Sequence, residues 1–218
     1  MPRHLHRDLE RLNRELTNIG ALVEDATNKA ILALIDRRAE LAREVIAGDK
    51  QIDAREVQLE EDCLKNLALH QPVATDLRVV VTIMKVNNDL ERVGDLAGNI
   101  AERALDLAGK PTITIPKEIE EMTAWVRTML RDCLHAVIEL DVQLAHKVLR
   151  DDAEVDGRHQ QIYGIMREAM QAEPDRIGDF MQLVTVSRCL ERIADLATNI
   201  AEDVIFVVEG EVVRHQFS

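Results

Sequence analysis

Leu5, Leu9, Leu12, Leu16, Ile19, Val23, Ala26 and Ala30 follow one another by alternating fours and threes, the spacing that lines one stripe of an α-helix. The pattern predicts a first helix running to about Ala47, where Gly48-Asp49 interrupts it. A second helix carries Ile52, Leu59, Cys63 and Leu67 and stops at His70-Gln71-Pro72, because proline ends one helix and opens the next. A third carries Val86, Leu90, Val93, Ala97, Ile100 and Ala104 and ends at Gly109-Lys110-Pro111. The segment from Pro111 to Pro116 is proline-bounded and β-branched, which suits an extended connection. Beyond it the plan repeats. Ile119, Met122, Val126, Met129, Cys133 and Leu140 mark a fourth helix, Asp151-Asp152 the expected break, a fifth helix runs toward Glu173-Pro174, and Val186, Leu190, Ile193, Ala197, Ile200 and Val204 mark a sixth.

The repetition is also literal. The segment Leu90-Glu91-Arg92-Val93-Gly94-Asp95-Leu96-Ala97-Gly98-Asn99-Ile100-Ala101-Glu102 recurs one hundred residues later as Leu190 to Glu202, with ten of thirteen positions identical. A weaker match aligns Leu41-Ala42, Val45-Ile46, Asp49, Ile52 and Asp53 with Leu144-Ala145, Val148-Leu149, Asp152, Val155 and Asp156. The expected fold is therefore all-α, two tandem duplicated three-helix bundles, with the first repeat over residues 1–110 and the second over 111–218. Short loops make neighbouring helices antiparallel.

Composition narrows the function. Aromatic residues are 2% of the chain and hydrophobic residues 46%, so the core must be aliphatic. With 40 acidic against 27 basic residues and a net charge of −13, the chain is a poor partner for nucleic acid, whose phosphates call for clustered lysine and arginine. Cys63, Cys133 and Cys189 form no paired motif and read as reduced core thiols. The N-terminal residues contain no apolar secretory stretch, and Val79 to Met84 is too short to span a bilayer, so the cytoplasm is the expected compartment. No phosphate-binding loop, serine-hydrolase elbow or zinc-protease motif occurs, so an enzyme is not expected and no catalytic residue is assigned.

The duplicated carboxylates are the candidate chemistry. Glu91 and Asp95, and likewise Glu191 and Asp195, stand four residues apart on one helical face. Asp49 with Asp53 and Asp152 with Asp156 form a second pair in each half. If the second and third helices turn back near Gln71, position 91 lies level with position 51; with a turn near Pro174, position 191 lies level with position 157. Each half thus brings four acidic groups to one height, a set able to hold a hard or borderline cation through oxygen. Glu91 and Asp95 point away from the Leu90/Val93/Ala97 stripe, which puts such a site on the surface. The plain alternative is that these are solvated charges paired with Arg92, Arg192 and Arg55. His159 has suggestive spacing after Asp156, but its counterpart in the first half is Glu56.

The two Leu-Glu-Arg-[Val/Ile]-x-Asp-Leu-Ala-x-Asn-Ile-Ala-Glu segments, with Gln71-Pro72-Val73-Ala74-Thr75-Asp76-Leu77-Arg78 opening the third helix, resemble the PhoU family over nearly the whole chain. The second half departs from that pattern at Ala172 to Ile177. The resemblance implies a cytoplasmic negative regulator of the bacterial phosphate-starvation response. It would link the ATPase subunit of the phosphate ABC transporter, PstB, to the sensor histidine kinase PhoR, work as a homodimer, and meet the membrane only through its partners. It also implies surface metal, whether iron, zinc, nickel, manganese or magnesium, bound by Asp49, Asp53, Glu91, Asp95, Asp152, Asp156, Glu191 and Asp195. Two rival readings are a ferritin-like redox protein, which needs Glu-x-x-His ligands that are missing here, and a structural coiled-coil adaptor, which leaves the acidic rows unexplained.

Overall fold

The computed structural model describes residues 2–210, and these form six long α-helices: α1 (Pro2–Ile35), α2 (Ala39–His70), α3 (Ala74–Ala108), α4 (Lys117–Glu139), α5 (Val142–Ala172) and α6 (Ile177–Glu209). A 3-10 turn at Pro174–Arg176 precedes α6, and there is no strand among the described residues. The apolar stripes are the buried faces: Ile19, Val23, Val86, Leu90, Ile100, Ile119, Met122 and Leu190 are all fully enclosed. Each such side chain withdrawn from water contributes about 1.5–3 kcal/mol, which is how a chain nearly without aromatics holds together.

The α2–α3 and α5–α6 turns fall where the prolines place them, but the other two breaks do not lie at Gly48-Asp49 or Asp151-Asp152. α2 and α5 run straight through those residues, and the chain reverses instead at Asp36-Arg37-Arg38 and at Leu140-Asp141. A glycine in the middle of a 32-residue helix costs only about 1 kcal/mol, which tertiary packing easily outweighs. The actual reversals use left-handed residues that are not glycine, Arg37 at φ 55° and Leu140 at φ 51°. Arg37 is held there by its own guanidinium, which donates to the carbonyls of Leu107 at 2.8 Å and Lys110 at 2.6 Å and so satisfies the open end of α3. At the other reversal the Asp141 carboxylate accepts from the backbone N–H groups of Gln143 and Leu144 and caps α5. Leu140, expected inside a buried stripe, is 49% exposed as a consequence.

Residues 109–116 are non-helical, as the proline-bounded segment predicts, and Arg176 ties them down by donating to the carbonyls of Pro111 and Thr112. The two halves do not stand apart. α3 packs against α6, α1 packs against α4, and the buried residues of both halves form one continuous cluster. At the α1–α4 contact Gly20 matters: a Cβ there would sit 2.8 Å from Leu134 Cδ2. The ion pair Lys85–Asp203 at 2.9 Å, from α3 to the end of α6, and Lys110–Asp179 at 3.4 Å, from the segment just past α3 to the start of α6, show the two helices to be antiparallel.

Candidate metal centre

The acidic pairs sit in the middle of α2 and α5, facing α3 and α6, and so far from helix ends that no helix dipole compensates their charge. The levelling expected from the α2–α3 turn holds in the first half. Carboxylate oxygens of Asp49, Asp53 and Asp95 all lie within 4.8 Å of one another at the surface. Glu91 is half-buried beside them, and its charge interacts with Asp95, Asp53 and Asp49. In the second half Asp152 interacts with Asp156, Asp195 and Glu191, but these oxygens do not converge as closely.

What brings α2 and α3 together beneath the first row is a close fit between Gly94 and Ile52. A Cβ on Gly94 would lie 3.3 Å from Ile52 Cδ1 and 4.0 Å from Asp49 Oδ1. The second half carries Ala194 and Val155 at the same places, so one methyl has moved from one helix to the other at constant volume.

Two of the three basic neighbours that might have neutralised the rows are engaged elsewhere, while the charge of Arg192 acts on Glu191 and Asp195 without forming an ion pair. Arg55 pairs with Glu15 at 3.5 Å and Arg92 with Asp89 at 3.8 Å, and among the described residues no ion pair involves any of the eight carboxylates. Nor does Asn99 serve the row with its amide nitrogen, which is bonded to the Asp95 carbonyl at 3.0 Å. Like charges held together without a counter-ion raise one another's pKa, and partial desolvation adds to this. Desolvation first and acidic neighbours second push Asp49, Glu91, Glu191 and Asp195 up, and take Asp152 to about 6. Oδ1 of Asp152 is buried with no hydrogen-bond partner. In the first half the clustered oxygens of Asp49, Asp53 and Asp95 are a donor set that an oxygen-ligated cation satisfies, so those residues fit one; in the second half only the orphaned Asp152 oxygen points the same way.

A consequence for metal-free protein follows from the sign of these shifts. Carboxyls whose pKa is raised on folding contribute stability that is complete below their unfolded value and is lost as pH rises through the folded value. Metal-stripped protein is therefore expected to melt higher at pH 5 than at pH 7.5. Asp152→Asn should remove about 1 kcal/mol of that difference, after allowance for solvent screening of a partly exposed group. Thermal melts across this range in the presence of a chelator measure it; a midpoint that does not move with pH would contradict the argument.

Two polar positions of these rows were not assigned from sequence. Asn87, fully buried on α3, donates to the backbone carbonyl of Glu56 at 2.9 Å and to its Oε1 at 3.3 Å, and so extends the first row along α2. At the matching place in the second half Ser187 Oγ lies 2.7 Å from His159 Nδ1. The spacing of Glu56 three residues beyond Asp53 was visible, but a contact between different helices leaves no periodicity to read.

No helix of the described residues is long and apolar enough to cross a membrane. Comparison with known proteins agrees with the duplication. The "PhoU domain" family model matches residues 16–104 and again 119–204. The phosphate-specific transport system accessory protein PhoU homolog of Aquifex aeolicus is 41% identical over 97% of this chain and 96% of its own length. The phosphate-specific transport system accessory protein PhoU of Escherichia coli is 31% identical over 95% of this chain and 86% of its own. The crystal structure of PhoU from Pseudomonas aeruginosa superposes with a TM-score of 0.92 at 35% identity, covering 94% of this chain and 99% of that one. The chain thus belongs to the PhoU family, whose members are accessory and regulatory proteins rather than enzymes.

Proposed function

We propose that this protein is an accessory regulator of phosphate-specific transport that keeps the phosphate-starvation response off when phosphate is plentiful. The observation that carries the reading is family membership over nearly the full length, since relatives named as accessory proteins of phosphate-specific transport match both halves and the connection between them. It works in the cytoplasm, as a homodimer, by contact between the transporter ATPase PstB and the sensor kinase PhoR. Long acidic helices and a net charge of −13 supply a surface for basic partner faces and make such association sensitive to salt. The exposed aliphatics Leu69, Val73 and Leu77 near the α2–α3 turn add apolar contact area. A divalent or ferric cation is held in each acidic row by the four carboxylates of that half. There its charge offsets theirs and fixes the packing of α2 on α3 and of α5 on α6.

The test is deletion of the gene from its host. Alkaline phosphatase is expected to be expressed at starvation levels in phosphate-rich medium, about tenfold or more above the parent, as for loss of a repressing contact worth over ~1.4 kcal/mol. Normal repression in the deletion strain would remove the regulatory assignment.

A further inference from the structure

We propose that the outward face of α2 is the surface on which two copies of this chain meet, through an antiparallel pairing of α2 with itself. This rests on the homodimer named in the proposed function. It goes beyond it by assigning the face, the register and the residue pairs that hold it.

α2 buries Val45, Ile52, Leu59 and Cys63 and packs against α1 and α3. On its opposite side Ala47, Lys50, Ala54, Val57, Glu61 and Leu64 step by alternating threes and fours, the spacing of a second seam. All six are exposed, and Val57 and Leu64 each keep 52% of their surface in water. The second half has no such seam. In the register that aligns Asp49 with Asp152, α5 carries Arg150, Ala153, Gly157, Gln160, Gly164 and Arg167 at these places. Neither large apolar residue and neither charge of the α2 seam recurs there, although the fold of the two halves is the same. The seam is therefore not something the bundle requires.

What identifies the occupant is that the seam is complementary to itself. Reversed and set against a second copy, about a two-fold axis midway between Ala54 and Val57, it places Lys50 opposite Glu61, Ala54 opposite Val57 and Ala47 opposite Leu64. Each pair occurs twice. Every layer then joins a small residue to a large one or a cation to an anion, so alanine admits the backbone and the larger side chain fills the space left. Lys50 enters no ion pair among the described residues, and Glu61 has only the exposed Lys65 of its own helix, at 3.2 Å. With a net charge of −13 on each copy, two chains repel in most orientations, and this register replaces repulsion by two attractive pairs and apolar burial. On one flank Asp53 of one copy faces Glu60 of the other and opposes the pairing. The six layers span about 26 Å of helix. An interface of that extent lies at the small end of specific contacts, so the copies exchange.

Sedimentation equilibrium of the full-length protein reads the association. Lys50→Glu and Glu61→Lys lie at exposed helical positions outside the acidic rows, so circular dichroism should not change. Each variant alone sets two like-charge pairs in place of two attractive ones and is expected to weaken self-association about tenfold or more. Mixed one to one, the two variants should associate with each other nearly as tightly as the parent does with itself, since each supplies the charge that the other lacks. Both substitutions in one chain should restore self-association in the same way. Leu64→Arg, which introduces the residue type that α5 carries there, should abolish it. Single variants that stay weak when mixed would overturn the antiparallel register and the inference with it. A dimeric parent indifferent to all three substitutions would put the contact on another face, overturning the inference while leaving the homodimer intact. A parent that is monomeric at every concentration reached would overturn both and leave the seam to a partner of another kind.

Discussion

Replacing Glu91, Asp95, Glu191 and Asp195 together by alanine is expected to lower the affinity for divalent metal by about two orders of magnitude or more, because oxygen-ligated cations depend steeply on the number of charged ligands. Two of four carboxylates are lost from each row, and in the first row Asp95 is one of the three whose oxygens already lie within 4.8 Å of one another. The fold should survive. These side chains face away from the apolar stripe, no ion pair among the described residues depends on them, and alanine is a better helix former than aspartate or glutamate. Relief of like-charge repulsion across α2 and α3 should leave the metal-free variant as stable as the metal-free parent or more so. Elemental analysis of protein purified without chelator, with circular dichroism alongside, reads both quantities. Unchanged metal content in a folded variant would show that the ligands are other residues. If that folded, metal-poor variant restored repression to the deletion strain, metal would be dispensable for signalling and the rows would be structural.

The level of the first-half acidic pairs could be read from sequence because it depends only on the turn at Gln71-Pro72, where proline removes an N–H and constrains the residue before it. That turn is where the structure has it, between His70 and Ala74. The other reversals were misplaced because Gly48-Asp49 and Asp151-Asp152 look like breaks locally, whereas the real ones are decided by tertiary contacts. Arg37 takes a left-handed conformation that its sequence does not advertise, and what holds it there are carbonyls at the end of α3, seventy residues away. Asp141 did carry a legible signal, since an aspartate that begins a run of good helix formers is a ready N-cap. It was outweighed by the apparent continuity of the stripe through Leu140. Moving these breaks lengthens α2 and α5 and leaves the acidic pairs in mid-helix. The two rows thus face a rigid neighbour rather than a loop, which favours a fixed donor set. The Glu56–Asn87 and His159–Ser187 contacts lay beyond sequence reasoning for a different cause: each joins helices whose relative rotation only packing decides.

The same packing makes a strong prediction about how the duplicated halves unfold. Leu90 and Leu190 occupy the same place in the repeated segment, and both are fully buried. Leu90→Ala and Leu190→Ala should each cost about 2–5 kcal/mol, the transfer free energy of the lost methyl groups plus the cavity they leave. Were the halves independent, each substitution would lower the melting of its own half and spare the other. They are not built that way: both leucines belong to one cluster that runs through the contact of α3 with α6, and Lys85–Asp203 and Lys110–Asp179 fasten that contact at both ends. A half whose partner has unfolded would expose the face of α3 or α6 that now lies inside, and hydrophobic exposure on that scale outweighs the stability of a three-helix remnant. Scanning calorimetry should accordingly show a single transition for the parent and for each variant, displaced downward by a similar amount whichever half carries the substitution. A trace that splits in two, with only the peak of the substituted half displaced, would mean that the α3–α6 contact is too weak to couple the repeats and that each is a folding unit by itself.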